Sequence, residues 1–205
     1  MTDTATLEKY ADLIDTHRYI DVEDSYWYEY TLEEFGTLLK VLGVDARCHS
    51  STDELDVWFQ GFGSQGDGAS FQGRVACSSG DLDAAYAGLG WGPDEERDRI
   101  VAEYIALQNM YDRTISGTIQ TSGRSTHSGT MTFELDYDYY DEEEQLLGNP
   151  ELAEHVEGEV QQLMRDLADW LYKQLKAEYD YRTSDVGVYE TLEAKDMLEE
   201  DLEDA

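Results

Sequence analysis

Met131-Thr132-Phe133-Glu134-Leu135-Asp136-Tyr137-Asp138-Tyr139-Tyr140 alternates apolar and polar residues with a period of two. That is the spacing of a half-buried β-strand, in which successive side chains leave opposite faces. The stretch Thr114 to Thr121 precedes it, with Ser122-Gly123-Arg124-Ser125 as the turn between them. The pair reads as a hairpin, and a hairpin implies an antiparallel sheet.

Working outward, a second hairpin precedes the first. Leu55 to Phe62 carries apolar side chains on both faces, as a central strand does, and Ala69 to Cys77 is its expected return strand. Between them lies Gly63-Ser64-Gln65-Gly66-Asp67-Gly68, where the two glycines flanking Asp67 suit positive φ. Helical patterns surround the hairpins. Residues 4–16 place Leu7, Tyr10, Ala11, Leu13 and Ile14 at helical spacing after a Thr-rich start. Tyr19 to Tyr30 is dense in aromatics and reads as a strand or extended segment. Thr31 to Glu34 forms a capping box, opening a helix with Phe35, Leu38, Leu39 and Leu42 inward and Gly43 as its stop. Gly92-Pro93-Asp94 starts another helix, running to Tyr111. Asn149-Pro150 caps the longest, running to Tyr181 with an apolar stripe from Leu152 to Tyr179, and Ser184 caps a short last one. The expected fold is α+β: an antiparallel sheet of two or more hairpins, helices on one face and a long C-terminal helix. Residues 1–195 form one expected domain and 196–205 a frayed acidic tail.

Composition bears on function. The 205-residue chain holds 47 Asp and Glu against 14 Lys and Arg, a net charge of −33. A folded chain of this length has a radius of gyration of roughly 17 Å, so the charges crowd and repel. Aromatics make up 12% of the residues, which a disordered acidic chain lacks. Lys and Arg are too few for direct binding to nucleic acid or to an anionic membrane. No apolar run approaches the roughly 20 residues of a membrane span, and the N-terminus lacks the basic start and apolar core of a signal peptide. These features point to a protein of the cytoplasm.

The strand at 130–140 sets Glu134, Asp136 and Asp138 on one face and leads into Asp141-Glu142-Glu143-Glu144 without an intervening cation. Two readings fit: a carboxylate ladder that a basic groove accepts in place of phosphates, or a solvated strand face. In the first, Glu134, Asp136, Asp138, Asp141, Glu142, Glu143 and Glu144 form the presented surface, with Tyr137, Tyr139 and Tyr140 as packing or anchors. The acidic C-terminus fits solubilisation better, and the long helix offsets much of its acid with Arg165, Lys173, Lys176 and Arg182.

Other chemistry is weakly marked. The Gly-rich loop joins strands instead of opening a helix, and Asp67 repels phosphate, so hairpin structure fits better than a phosphate cradle; Ser64, Gln65 and Asp67 remain a small polar surface. His17, His49, His127 and His155 show no paired spacing. Cys48 and Cys77 read as reduced thiols, with a disulfide between them left open. Asp141 to Glu144 offers carboxylates to a divalent cation but lacks the ligand alternation and glycine of a calcium loop. No cofactor is implied and no nucleophile–base pair is marked.

Val57-Trp58-Phe59-Gln60-Gly61-Phe62-Gly63-Ser64-Gln65-Gly66-Asp67-Gly68-Ala69-Ser70-Phe71-Gln72-Gly73 resembles the G-F-x-S-Q-G-D-G-A/C-x-F hairpin of small acidic bacteriophage proteins. The aromatic-rich segment before a helix, and the stretch from Ser184 to Ala194, are similar to that group as well; Glu199 to Ala205 departs from it. The resemblance implies a phage or prophage setting and brings no activity with it. In charge and size alone the chain is similar to phage DNA-mimic inhibitors. The expectation is a non-enzymatic inhibitor that engages a basic, nucleic-acid-binding host protein, such as a defence nuclease complex. A carboxylate-rich metal-dependent enzyme or module is the alternative. Adaptation to high salt is another, and five Lys against nine Arg fits it.

Overall fold

In this computed structural model the described residues are 3–23, 25–46, 54–76, 80–110, 115–121, 126–136 and 150–198. They belong to two units, Leu32–Tyr172 and Met1–Thr31 with Lys173–Ala205.

The larger unit holds the sheets, and the fold is α+β as expected. Strand β6, Met131–Asp136, keeps the period-two pattern: Met131 is buried, Phe133 and Leu135 half-buried, and Thr132, Glu134 and Asp136 exposed. It pairs antiparallel with β5, Ser116–Thr121. Strand β5 also pairs with β4, Gly73–Val75, which pairs with the two-residue β1, Val44–Asp45. The order is β1-β4-β5-β6. Gly117 of β5 has φ +150°, and a Cβ there would lie 2.2 Å from the Glu134 carbonyl oxygen, so this crossing of backbones demands glycine.

The earlier hairpin is divided differently from its sequence reading. Strands β2, Val57–Gln60, and β3, Gly68–Phe71, form a separate two-stranded ribbon. Trp58 and Gln60 are exposed, so β2 is not a central strand covered on both faces. The return strand breaks at Gln72, whose N–H turns back to the Asp56 carbonyl at 2.8 Å. One residue on, Gly73 lets β1 approach closely, because a Cβ would sit 2.9 Å from the Asp45 carbonyl oxygen.

Helices α3, Glu29–Val41, α5, Glu95–Met110, and α6, Pro150–Arg182, supply the rest of this core. Phe35, Leu38, Leu39 and Leu42 are fully buried, and Gly43 with φ 76° stops α3 as expected. Phe35 meets Phe71 edge-on at 5.4 Å. Arg165 of α6 lies 5.3 Å from the Phe133 ring and donates to the Met131 carbonyl at 3.1 Å, fixing α6 over that side of β6. A short helix that the sequence reading missed, α4, Leu82–Ala87, is capped by the Asp81 carboxylate.

The start of α3 corrects two expectations. Residues 19–23 turn locally, with the N–H groups of Val22 and Glu23 both bonding the Tyr19 carbonyl, and a 3-10 helix, Ser25–Tyr28, runs straight into α3. Helical turns therefore replace the expected strand, and Thr31 sits inside the helix instead of capping it. Trp27 packs edge-on against Tyr28 and 5.8 Å from Tyr179, which explains the aromatic density without a sheet.

In the smaller unit the expected single helix is two, α1, Thr4–Lys9, and α2, Ala11–Thr16, broken at Tyr10 with φ −107°. The cap is Asp3, which accepts from Thr6 N–H at 2.8 Å, and not a threonine. Helix α7, Asp185–Ala194, starts at Ser184, whose hydroxyl accepts from Gly187 N–H as anticipated. Ile14, Val188, Tyr189 and Leu192 form a buried cluster flanked by Leu7, Tyr10, Leu13, Ile20, Met197 and Leu198. Two arginines clasp the chain reciprocally: Arg18 bonds Asp185 and the Thr183 carbonyl, and Arg182 bonds Asp21. Among the described residues no helix is long and apolar enough to cross a membrane.

Candidate functional site

The polar face of the four-stranded sheet carries the expected acidic strand. Directly opposed residues share a face, so the register places Asp45, Arg74, Thr118 and Glu134 in one row across four strands. Ser116 with Asp136 and Gln120 with Thr132 flank that row. Asp45, Arg74, Glu134 and Asp136 are all exposed. Glu134 and Asp136 stand roughly 6.8 Å apart along the strand.

Arg74 qualifies the carboxylate ladder, and the strand pattern read alone missed it. Strands lie about 4.8 Å apart, so Arg74 is one strand from Asp45 but two from Glu134, roughly 10 Å. That exceeds the Debye length of about 8 Å at physiological ionic strength. Arg74 therefore offsets mainly Asp45, and the acid is concentrated at the β6 edge. The signal was the phase of Gly73-Arg74-Val75, whose middle residue must face away from a buried Val75. Asp138, Tyr140, Asp141, Glu142, Glu143 and Glu144 lie outside the described residues, as do Tyr137, Tyr139, Cys48 and Cys77.

The other arginines among the described residues are engaged by partners of their own unit. Arg18, Arg97, Arg99, Arg165 and Arg182 each donate to a carboxylate or carbonyl of their own unit. Arg97 is only 8% exposed. Its guanidinium donates to the Gly92 carbonyl at 2.6 Å, the Tyr86 hydroxyl at 2.7 Å and Asp98 at 2.8 Å. The Tyr86 hydroxyl donates to Asp98, and Trp170 donates its indole N–H to Asp94 at 2.9 Å. Burial, and then the Asp98 carboxylate, push the Tyr86 phenol up to about 12. The network ties α4 and the loop at Gly92 to α5 and α6.

The Gly-rich loop is a closed structure. The Asp67 carboxylate accepts from Gly63 N–H at 2.7 Å, Ser64 N–H at 2.6 Å and the Ser64 hydroxyl at 2.7 Å. The Ser64 bonds first, and then Gly63, hold its carboxyl below the usual range. The positive φ falls at Gly61, at 62°, and not at Gly66 or Gly68 as expected. Asp67 folds back over Gly61, where a Cβ would lie 2.3 Å from the carboxylate. Ser64, Gln65 and Asp67 thus belong to a turn in which the Gly63 and Ser64 amides already hold an anion, the Asp67 carboxylate.

Among the described residues no group of three or more His, Cys, Asp or Glu side chains is arranged to hold a metal ion. Residues 27–185 match the model of a family described as Domain of unknown function (DUF8835). No curated protein and no solved structure matches the chain.

Proposed function

The chain belongs to the DUF8835 family, and from the chemistry of its own surface we propose that it is a binding protein that docks through acid on a basic, nucleic-acid-binding partner. The observation that carries this reading is the β6 edge, where Glu134 and Asp136 stand exposed on the polar face while most described arginines are engaged within their own units. In the sequence, Asp138 and the run Asp141 to Glu144 follow Asp136. In the phage setting that the hairpin motif implies, the partner is a host defence protein whose basic groove otherwise holds nucleic acid, and the protein acts as its inhibitor without catalysis. Charge of this density steers association and makes it fast and salt-dependent.

Capture of the partner from host lysate at rising salt, followed by binding assays with Glu134→Gln/Asp136→Asn/Asp138→Asn, tests the proposal. The triple variant is expected to bind at least tenfold more weakly at low salt and to show a flatter salt dependence, with unchanged circular dichroism. Native affinity in that variant overturns the site.

A second reading, adaptation to concentrated salt, is favoured by one observation. Exposed carboxylates lie on all seven described α-helices, including Glu8, Asp12, Glu33, Asp83, Glu103, Glu159 and Glu190. It requires that the protein unfold on desalting and recover in molar KCl, where the Debye length is about 3 Å.

A further inference from the structure

We propose that Tyr19, Tyr26 and Tyr30 of the smaller unit form a docking surface for a lysine- or arginine-bearing segment of the partner. Of the six large hydrophobic side chains exposed among the described residues, five belong to that unit, and four of those are tyrosines. Tyr26 and Tyr30 are 73% and 70% exposed. They stand four residues apart on the continuous run from the 3-10 helix into α3, which brings them to neighbouring positions on one side. Tyr26 also borders a cleft of about 170 Å³ with Ile20 and Asp21, the residues that follow Tyr19. The cleft therefore links the 19–23 turn to Tyr26.

The chemistry selects the occupant. Exposed aromatic faces attract cations, above all guanidinium and ammonium groups, and tyrosine is favoured at the centres of protein interfaces. Glu23 and Glu29 are exposed on either side of the 3-10 helix. Arg182 also borders the cleft but is held by Asp21 and Glu178, which leaves Lys195 as the opposing charge. The unit as a whole has nineteen Asp and Glu against six Lys and Arg. That balance repels a second copy of the chain and any stacked nucleic acid, whose phosphates need cations. A basic polypeptide satisfies both the aromatic faces and the charge.

This inference rests on the basic partner proposed above but places a second contact in a different unit, so the two fail separately. The test measures binding of a fluorescent Arg- and Lys-rich peptide by anisotropy at 0.15 M and 1 M NaCl. Tyr26→Ser/Tyr30→Ser is expected to weaken binding about five- to thirtyfold at both salts, since two exposed cation–aromatic contacts are removed. Tyr19→Ser should weaken it less, and Tyr26→Phe/Tyr30→Phe should retain it. Glu134→Gln/Asp136→Asn should weaken it at 0.15 M only. Native affinity in both serine variants overturns the tyrosine surface and leaves the acidic edge standing. A concentration-dependent dimer lost in the serine variants overturns it in favour of a second copy. Absence of peptide binding to the native chain overturns the tyrosine surface, whereas the acidic edge stands or falls with the captured partner and the triple variant.

Discussion

Arg97 is the side chain on which the larger unit depends most visibly. Its guanidinium is nearly enclosed and holds three acceptors from two helices and a loop. Removing it leaves the Gly92 carbonyl without its donor and the half-exposed Asp98 carboxylate without its cation, while Tyr86 still donates to Asp98, which costs about 1–3 kcal/mol. Arg97→Ala is therefore expected to lower unfolding stability by that order in urea titration. Arg97→Lys should not rescue it, because an ammonium cannot reproduce the planar fork. Tyr86 gives the same network a pH signature. Its phenol is ordinary when unfolded and titrates near 12 when folded. Its contribution is thus intact below about pH 10 and lost as pH climbs from there through about 12. Comparing native protein with Tyr86→Phe by urea titration across that interval isolates the effect: the native protein should lose stability more steeply. None of this was legible in the sequence. Arg97 sits among Glu95, Glu96, Asp98 and Arg99, a run that reads as solvated helix surface; only the helix start at Asp94 announced itself.

Elements were legible where one local rule decided them. The alternation of Met131 to Asp136 fixed β6 and its wet face, Gly43 ended α3, and Ser184 began α7. The rule failed where a longer-range partner decided. Aromatics at Trp27 and Tyr28 pack on each other and, through Trp27, on Tyr179, a contact that strand propensity cannot anticipate. The return strand after Ala69 is shared between two sheets because Gly73 admits β1, and no spacing rule records that. Gly117 is the corresponding device between β5 and β6. Gly117→Ala is expected to cost about 1–3 kcal/mol from backbone strain and contact with the Glu134 carbonyl. It should weaken partner binding as well, since it displaces the strand bearing Glu134 and Asp136. Thermal unfolding and the binding assay together check this; an unchanged melting temperature refutes the proposed close approach.

At the scale of the molecule, −33 is unevenly borne. The smaller unit has a compact core of Ile14, Val188, Tyr189 and Leu192 and carries −13 on 64 residues, against −20 on the 141 residues of the larger. Little buried area there opposes strong self-repulsion. Lowering the salt is expected to speed hydrogen exchange in α7 before it does so in α5; simultaneous loss of protection would show that the units open together. The same field bears on the tip of the hairpin. Every free anion is repelled by this chain, yet the backbone N–H groups of Gly63 and Ser64 both converge on one carboxylate oxygen. Asp67 supplies the missing guest on a tether. Its occupancy is independent of concentration, dilution cannot release it, and a competing phosphate must displace it against the whole molecule's charge.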